Sequence, residues 1–143
     1  MHTLLLVIHI AAAAAWFGQK LTIPRDIQVG LAGGQNVAAA MVDRLTRTAR
    51  LGIGSALLTV LSGIGLLAVA GWGASVLLGV GIMAAVGAIV VGVTLGRVAW
   101  SGLAAAVRGG ELDLAGAFGR RFSRSLHLEN LLWLTALAAM VAG

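Results

Sequence analysis

Against a background of aliphatic side chains, a few residues have the chemistry to act: His9, Trp16 and Lys20 near the N-terminus, and His127, Glu129 and Asn130 near the C-terminus. Steps of seven and eleven residues return to within about 20° on a helical wheel, so a helix through the first group puts imidazole, indole and amine on one line, with His2 joining it. The imidazole could ligate a metal or tetrapyrrole iron, relay a proton, or hydrogen-bond to a neighbouring helix. Lys20 could pair with Glu129 across a bundle or snorkel its ammonium into lipid headgroups. Trp133 lies at the depth of Trp16. General acid–base work needs a tuned pair of titratable groups, for which only His9, Lys20, His127 and Glu129 are candidates. No nucleophilic triad or phosphate loop is present, and no catalytic residue can be named.

The elements that must position these groups are membrane spans. Of 143 residues, 59% are hydrophobic and 10% charged, and the mean hydropathy of +1.00 lies outside the range of water-soluble domains. Segments of about 20 apolar residues cross about 30 Å of hydrocarbon, which predicts spans at 3–23, 51–70, 74–95 and 126–142. The first has no charged stretch before its apolar run and is expected to be an uncleaved span rather than a signal peptide. The fold class is therefore all-α: a single domain over residues 1–143, built as a polytopic four-helix up-down bundle.

All ten Lys and Arg residues fall in two connections: Lys20, Arg25, Arg44, Arg47 and Arg50 in the first, Arg97, Arg108, Arg120, Arg121 and Arg124 in the second. The termini and the Gly71–Trp72–Gly73 hairpin have none. Basic loops stay in the cytoplasm, so both termini should be outside, in a bacterial inner membrane. The same distribution accounts for the net charge of +5 without a nucleic-acid partner. With no cysteine, disulfides, zinc–thiolate sites and covalent haem attachment are excluded.

The basic connections carry apolar residues at helical spacing over 37–50 and 112–124, which predicts helical overhangs facing solvent or headgroups, or a docking surface for anionic lipid or protein. Gly109–Gly110 should break a long third helix. Small residues line one face of the second span (Gly52, Ser55, Thr59, Gly63) and one of the third (Gly81, Ala85, Ala88, Gly92, Gly96), marking close helix contacts. This abundance of small faces predicts a homo-oligomer or a partner complex within the bilayer. At about 1.5 Å per residue, His9 and His127 differ in depth by roughly 12–15 Å in straight helices and cannot share one iron.

The run His9-Ile-Ala-Ala-Ala-Ala-Ala-Trp16-Phe17-Gly18, followed by Ile23-Pro24-Arg25, resembles the first helix of HemJ-type protoporphyrinogen oxidases, with a histidine, a tryptophan seven residues on and an Ile-Pro-Arg turn at the helix end. The chain as a whole, with its Gly-Trp-Gly hairpin and the Arg-Arg-Phe-Ser-Arg-Ser-Leu lead into helix four, resembles bacterial membrane proteins related to the CopD copper-resistance domain. The HemJ resemblance implies haem b ligated by His9, with Trp16 and Arg25 as neighbouring motif positions. After Arg25 the chain reads Asp26-Ile27-Gln28, where HemJ would carry a further histidine. The CopD resemblance implies copper handling, for which Met1, His2 and His9 would be the outer ligands. Three functions follow: a haem- or tetrapyrrole-associated redox or binding protein, a non-catalytic accessory subunit of a larger membrane complex, and a copper or small-ion transport component.

Overall fold

The computed structural model describes residues 2–70 and 75–142, so the expected hairpin at 71–73 lies outside the described residues. Four long helices account for nearly all of them: α1 (His2–Ala32), α2 (Gln35–Ala70), α3 (Val76–Arg108) and α4 (Leu112–Ala142). Each is long and apolar enough to cross a membrane, and the protein is an all-α, multi-pass four-helix bundle. Helices of 31 to 36 residues run to about 46–54 Å, well beyond a 30 Å hydrocarbon core. The excess lies at one end, where the antiparallel order of the helices gathers the nine arginines, with Lys20 just inside them.

Glycine at positive φ makes both turns at that end. Gly34 has φ of 84° between α1 and α2, and Gly110 has φ of 77° between α3 and α4, a conformation that costs a residue with a Cβ. At the second turn the N–H of Glu111 donates to the carbonyl of Ala106 and that of Gly110 to Val107, closing α3 with a Schellman motif. Gln35, at the start of α2, donates its side-chain N–H to the same Val107 carbonyl and ties the two turns together.

Around the bundle the order is α2, α1, α4, α3. α1 packs along α2, α4 along α3, and α1 against α4, whereas α2 meets α3 chiefly through the basic-end part of α3. Two separate cores result. At the basic end, Ile27, Ala38, Met41, Val42, Leu45, Leu103 and Val107 are buried with Trp100, Phe118 and Phe122 packed against them. The expected overhangs at 37–50 and 112–124 are thus not merely solvent- or headgroup-facing helices: their apolar faces turn inward and make a core of the kind found in water-soluble bundles. In the apolar half the core is thin, consisting of Trp16, Ala84, Ala88, Trp133 and Ala136. The small-residue faces do the packing there: Gly81 lies under the Ala136 carbonyl, where an added Cβ would come within 3.3 Å.

Two irregularities fall where the halves join. Pro24 sits inside α1, so the helix continues through the Ile-Pro-Arg segment rather than turning at it. Proline has no N–H to donate, which leaves the carbonyl of Lys20 without its helical partner. In α3, residues Gly92–Gly96 form a π-helical turn, a widening that recurs at functional positions in helices.

Candidate functional site

The junction holds an ionic centre. Lys20 on α1 and Glu129 on α4 form an ion pair through Nζ and Oε2, with 13% and 4% of their side chains exposed. Each lies five residues, about 7–8 Å along its helix, on the membrane side of the nearest arginine, Arg25 and Arg124, and Gly92 stands in the same register from Arg97. Three helices therefore meet at one level, just inside the basic ring.

The surroundings of the pair follow from what each helix can offer at that level. α3 presents backbone: a Cβ added at Gly92 would come 3.0 Å from Oε1 of Glu129, and one at Gly96 would come 3.4 Å from the same oxygen and 3.5 Å from Ser125 Oγ. The carboxylate comes this close to the π-helical turn because Gly92 has no Cβ, whereas a Cβ at Gly96 would make only ordinary contact. On the side away from the arginines the pair is roofed by indoles. Trp16 and Trp133 meet edge to face with centroids 4.9 Å apart, and Lys20 Nζ lies 4.6 Å from the Trp16 ring centre, a cation–π contact. Lys20 thus has two partners, the carboxylate and the indole face.

Two polar atoms on the same stretch of α4 as Glu129 are buried without a hydrogen-bond partner: Oδ1 of Asn130 and Nε1 of Trp133, an acceptor and a donor about one helical turn apart. Leaving such groups unpaired costs roughly 1–3 kcal/mol each, so this stretch carries hydrogen-bonding capacity that the helices themselves do not use. A water or a small polar ligand could satisfy both groups.

His9 stands apart, on the part of α1 far from the basic end. Its Nδ1 lies 2.9 Å from the Thr59 carbonyl and 3.1 Å from Ser62 Oγ, both on α2. A carbonyl can only accept, and the Ser62 hydroxyl already donates to the Leu58 carbonyl, so Nδ1 carries a proton, and in the neutral imidazole Nε2 is the nitrogen with the lone pair. Gly63 allows this approach, since its Cβ would lie 3.1 Å from the imidazole.

The positions implied for a haem site do not converge on one point. Trp16 is drawn into the α1–α4 contact, and Arg25 is exposed at the basic end, sixteen residues or about 24 Å along α1 from His9. His127 is exposed on α4 and meets neither His9 nor the ion pair, and His2 is exposed at the other end. Among the described residues no group of three or more His, Asp or Glu side chains gathers as a metal site. His9 thus offers a single histidine nitrogen, with neither His2 nor His127 brought beside it.

Gly92 and Gly96, which line the candidate site against Glu129, are the positions that sequence reasoning placed only in a packing stripe. Their spacing, level with Glu129 when depth is counted from the basic residues, was the available signal. Comparison with known proteins adds no relative: no protein-family model matches the chain, and no curated protein or solved structure matches it.

Proposed function

We propose that the protein is a small-ion-handling component of a bacterial inner membrane, with both termini outside, in which a proton or monovalent cation exchanges with Lys20 at the Glu129 carboxylate. The observation that carries this reading is the buried Lys20–Glu129 pair at the membrane level of the bundle. An apolar pair of similar volume would hold the helices together as well or better, because removing two charges from water costs more than their attraction returns in many such pairs. An ionisable pair within a span is therefore a functional candidate by default.

The exchange follows from the geometry. A proton arriving at Glu129 neutralises the carboxylate, and the Lys20 ammonium then swings toward the Trp16 face or snorkels to the nearby basic boundary on its flexible stem. A cation arriving instead takes the place of the ammonium beside the carboxylate. Departure of the ion restores the pair.

Liposomes reconstituted with the purified protein test this with an internal pH dye and imposed proton, sodium or potassium gradients. Flux that falls at least tenfold in Glu129→Gln while helix content is kept supports the exchange; unchanged flux in that variant, or none in the parent protein, overturns it. In the second case the accessory-subunit reading is left, and it requires co-purifying membrane partners.

A second reading has an observation of its own. With Nδ1–H held by the Thr59 carbonyl, His9 Nε2 is the nitrogen free to donate to iron or copper, which is how histidine ligands are commonly oriented. This keeps a HemJ- or CopD-like haem or copper association open as a proposal. An oxidised and reduced absorption spectrum of gently solubilised protein, beside His9→Ala, decides it: a Soret band lost in the variant supports haem, and its absence from haem-replete preparations removes it.

A further inference from the structure

A groove of about 430 Å³ runs between α1 and α4 on the basic half, separate from the ion pair. Its floor is Ile27 and Leu31 of α1, brought close by Gly119, where an added Cβ would sit 2.9 Å from Ile27. Its rim is Gln28, Arg120, Ser123 and Arg124. No acidic residue lines it, and among the described residues neither arginine meets a carboxylate. A second groove near the α1–α2 turn differs on this point, since it sets Asp26 among Arg25 and Arg44, 3.2 Å from the latter. The α1–α4 groove holds two arginines with no carboxylate among them, and has amide and hydroxyl donors beside it.

Depth and direction identify what would fill it. Arg124 lies five residues toward the basic end from Glu129, about 7–8 Å, which is headgroup level when the ion pair marks the edge of the hydrocarbon. On α4 the azimuth of Leu131 falls between those of Arg120 and Arg124, and on α1 Leu21 lies within about 20° of Gln28. Leu131 and Leu21 are 61% and 57% exposed. Two apolar stripes thus lead straight from the donors into the bilayer, as acyl chains would run from a phosphate.

We propose that this groove is a specific site for one anionic phospholipid, its phosphate held by Arg120 and Arg124 with Gln28 and Ser123 as further donors, and its chains lying along Leu21 and Leu131. Gly116 is a positioning residue: a Cβ there would come 3.6 Å from a terminal guanidinium nitrogen of Arg120, so a larger side chain pushes that arm out of place without changing any charge.

Native mass spectrometry of the detergent-solubilised protein titrated with phosphatidylglycerol, phosphatidylcholine or inorganic phosphate tests the site. The expected result is one retained phosphatidylglycerol. Binding should weaken on the order of tenfold or more in Arg120→Gln/Arg124→Gln, given the worth of a basic residue at an anionic surface, and weaken also in Gly116→Val. It should be unaffected in Arg47→Gln/Arg50→Gln, which removes the same charge from α2. Equal loss in the α2 variant means unspecific attraction, equal retention of phosphatidylcholine means no headgroup selection, and competition by millimolar inorganic phosphate means a free-anion site; each of these overturns the proposal. Thermal unfolding of every variant separates lost binding from lost fold.

Discussion

The two ends of the bundle are held together by different physics in the same four helices. At the basic end Leu103, Val107, Ile27 and Met41 interdigitate in a core that excludes water. There the hydrophobic effect contributes about 25 cal/mol per Å² of apolar area buried. In the apolar half Leu57, Leu61, Val86 and Leu134 point outward, because lipid solvates them as well as a protein core would; alanine, glycine and two indoles hold the helices by close contact instead. Between these regimes sits the layer with Lys20 and Glu129. The lesson is that the basic half acts as a clamp, and the clamp lets the junction keep a costly ion pair, a π-helical turn and unpaired polar atoms without the helices separating.

Breaking the junction should have the largest effect. Glu129→Ala takes the carboxylate from the Lys20 ammonium, leaving it only the Trp16 face or an escape to the basic boundary, and is expected to cost up to about 3–5 kcal/mol, read as a fall in thermal or denaturant midpoint in detergent. Lys20→Met/Glu129→Leu removes both charges and should recover most of that stability while abolishing ion flux; a double variant as unstable as the single one would mean that the pair is structural glue. Next in size, Leu103→Ala opens a cavity in the clamp, at about 2–5 kcal/mol. Leu132→Ala, its counterpart in the apolar half, should lose less, since lipid replaces part of the packing. Equal losses would dissolve the distinction between the two ends.

Smaller effects sharpen the comparison within each half. Gly102→Ala forces a Cβ against the Phe118 ring, 2.4 Å from its nearest atom, and is expected to destabilise the clamp by about 1–3 kcal/mol unless the ring rotates away. Ser62→Ala removes one partner of His9 but leaves the Thr59 carbonyl, so about 0.6 kcal/mol is expected. Amide exchange at the outer ends of α1 and α2 would register this loss even where the global midpoint does not move.

Much of the fold was legible because hydropathy, the grouping of basic residues and the Gly109–Gly110 stop are local signals. Span number, the all-helical class and the close-packing faces of α2 and α3 follow from them. The starts of α2 and α4 were legible too, in the helical spacing of apolar residues over 37–50 and 112–124, but the end of α1 was not. A hydropathy window stops at the last apolar run, whereas α1 passes through Pro24 to Ala32 because its polar last turns bury one face against α2 and α4. At the candidate site, a depth count brings Lys20 and Glu129 level, but it is silent on azimuth and could not say that they face each other.

The residue order of this chain by itself determines that it is apolar enough to live in a bilayer, that it crosses four times, and that its charge is gathered at one end, because each of these depends on solvation of short segments. Only the tertiary structure decided which polar groups meet. Lys20 finds Glu129 rather than the headgroups, His9 finds α2 rather than another histidine, and Gly92 becomes the wall of a carboxylate site. Those outcomes depend on helix rotation, which is set by the packing of bulky side chains at the basic end and of small ones in the membrane.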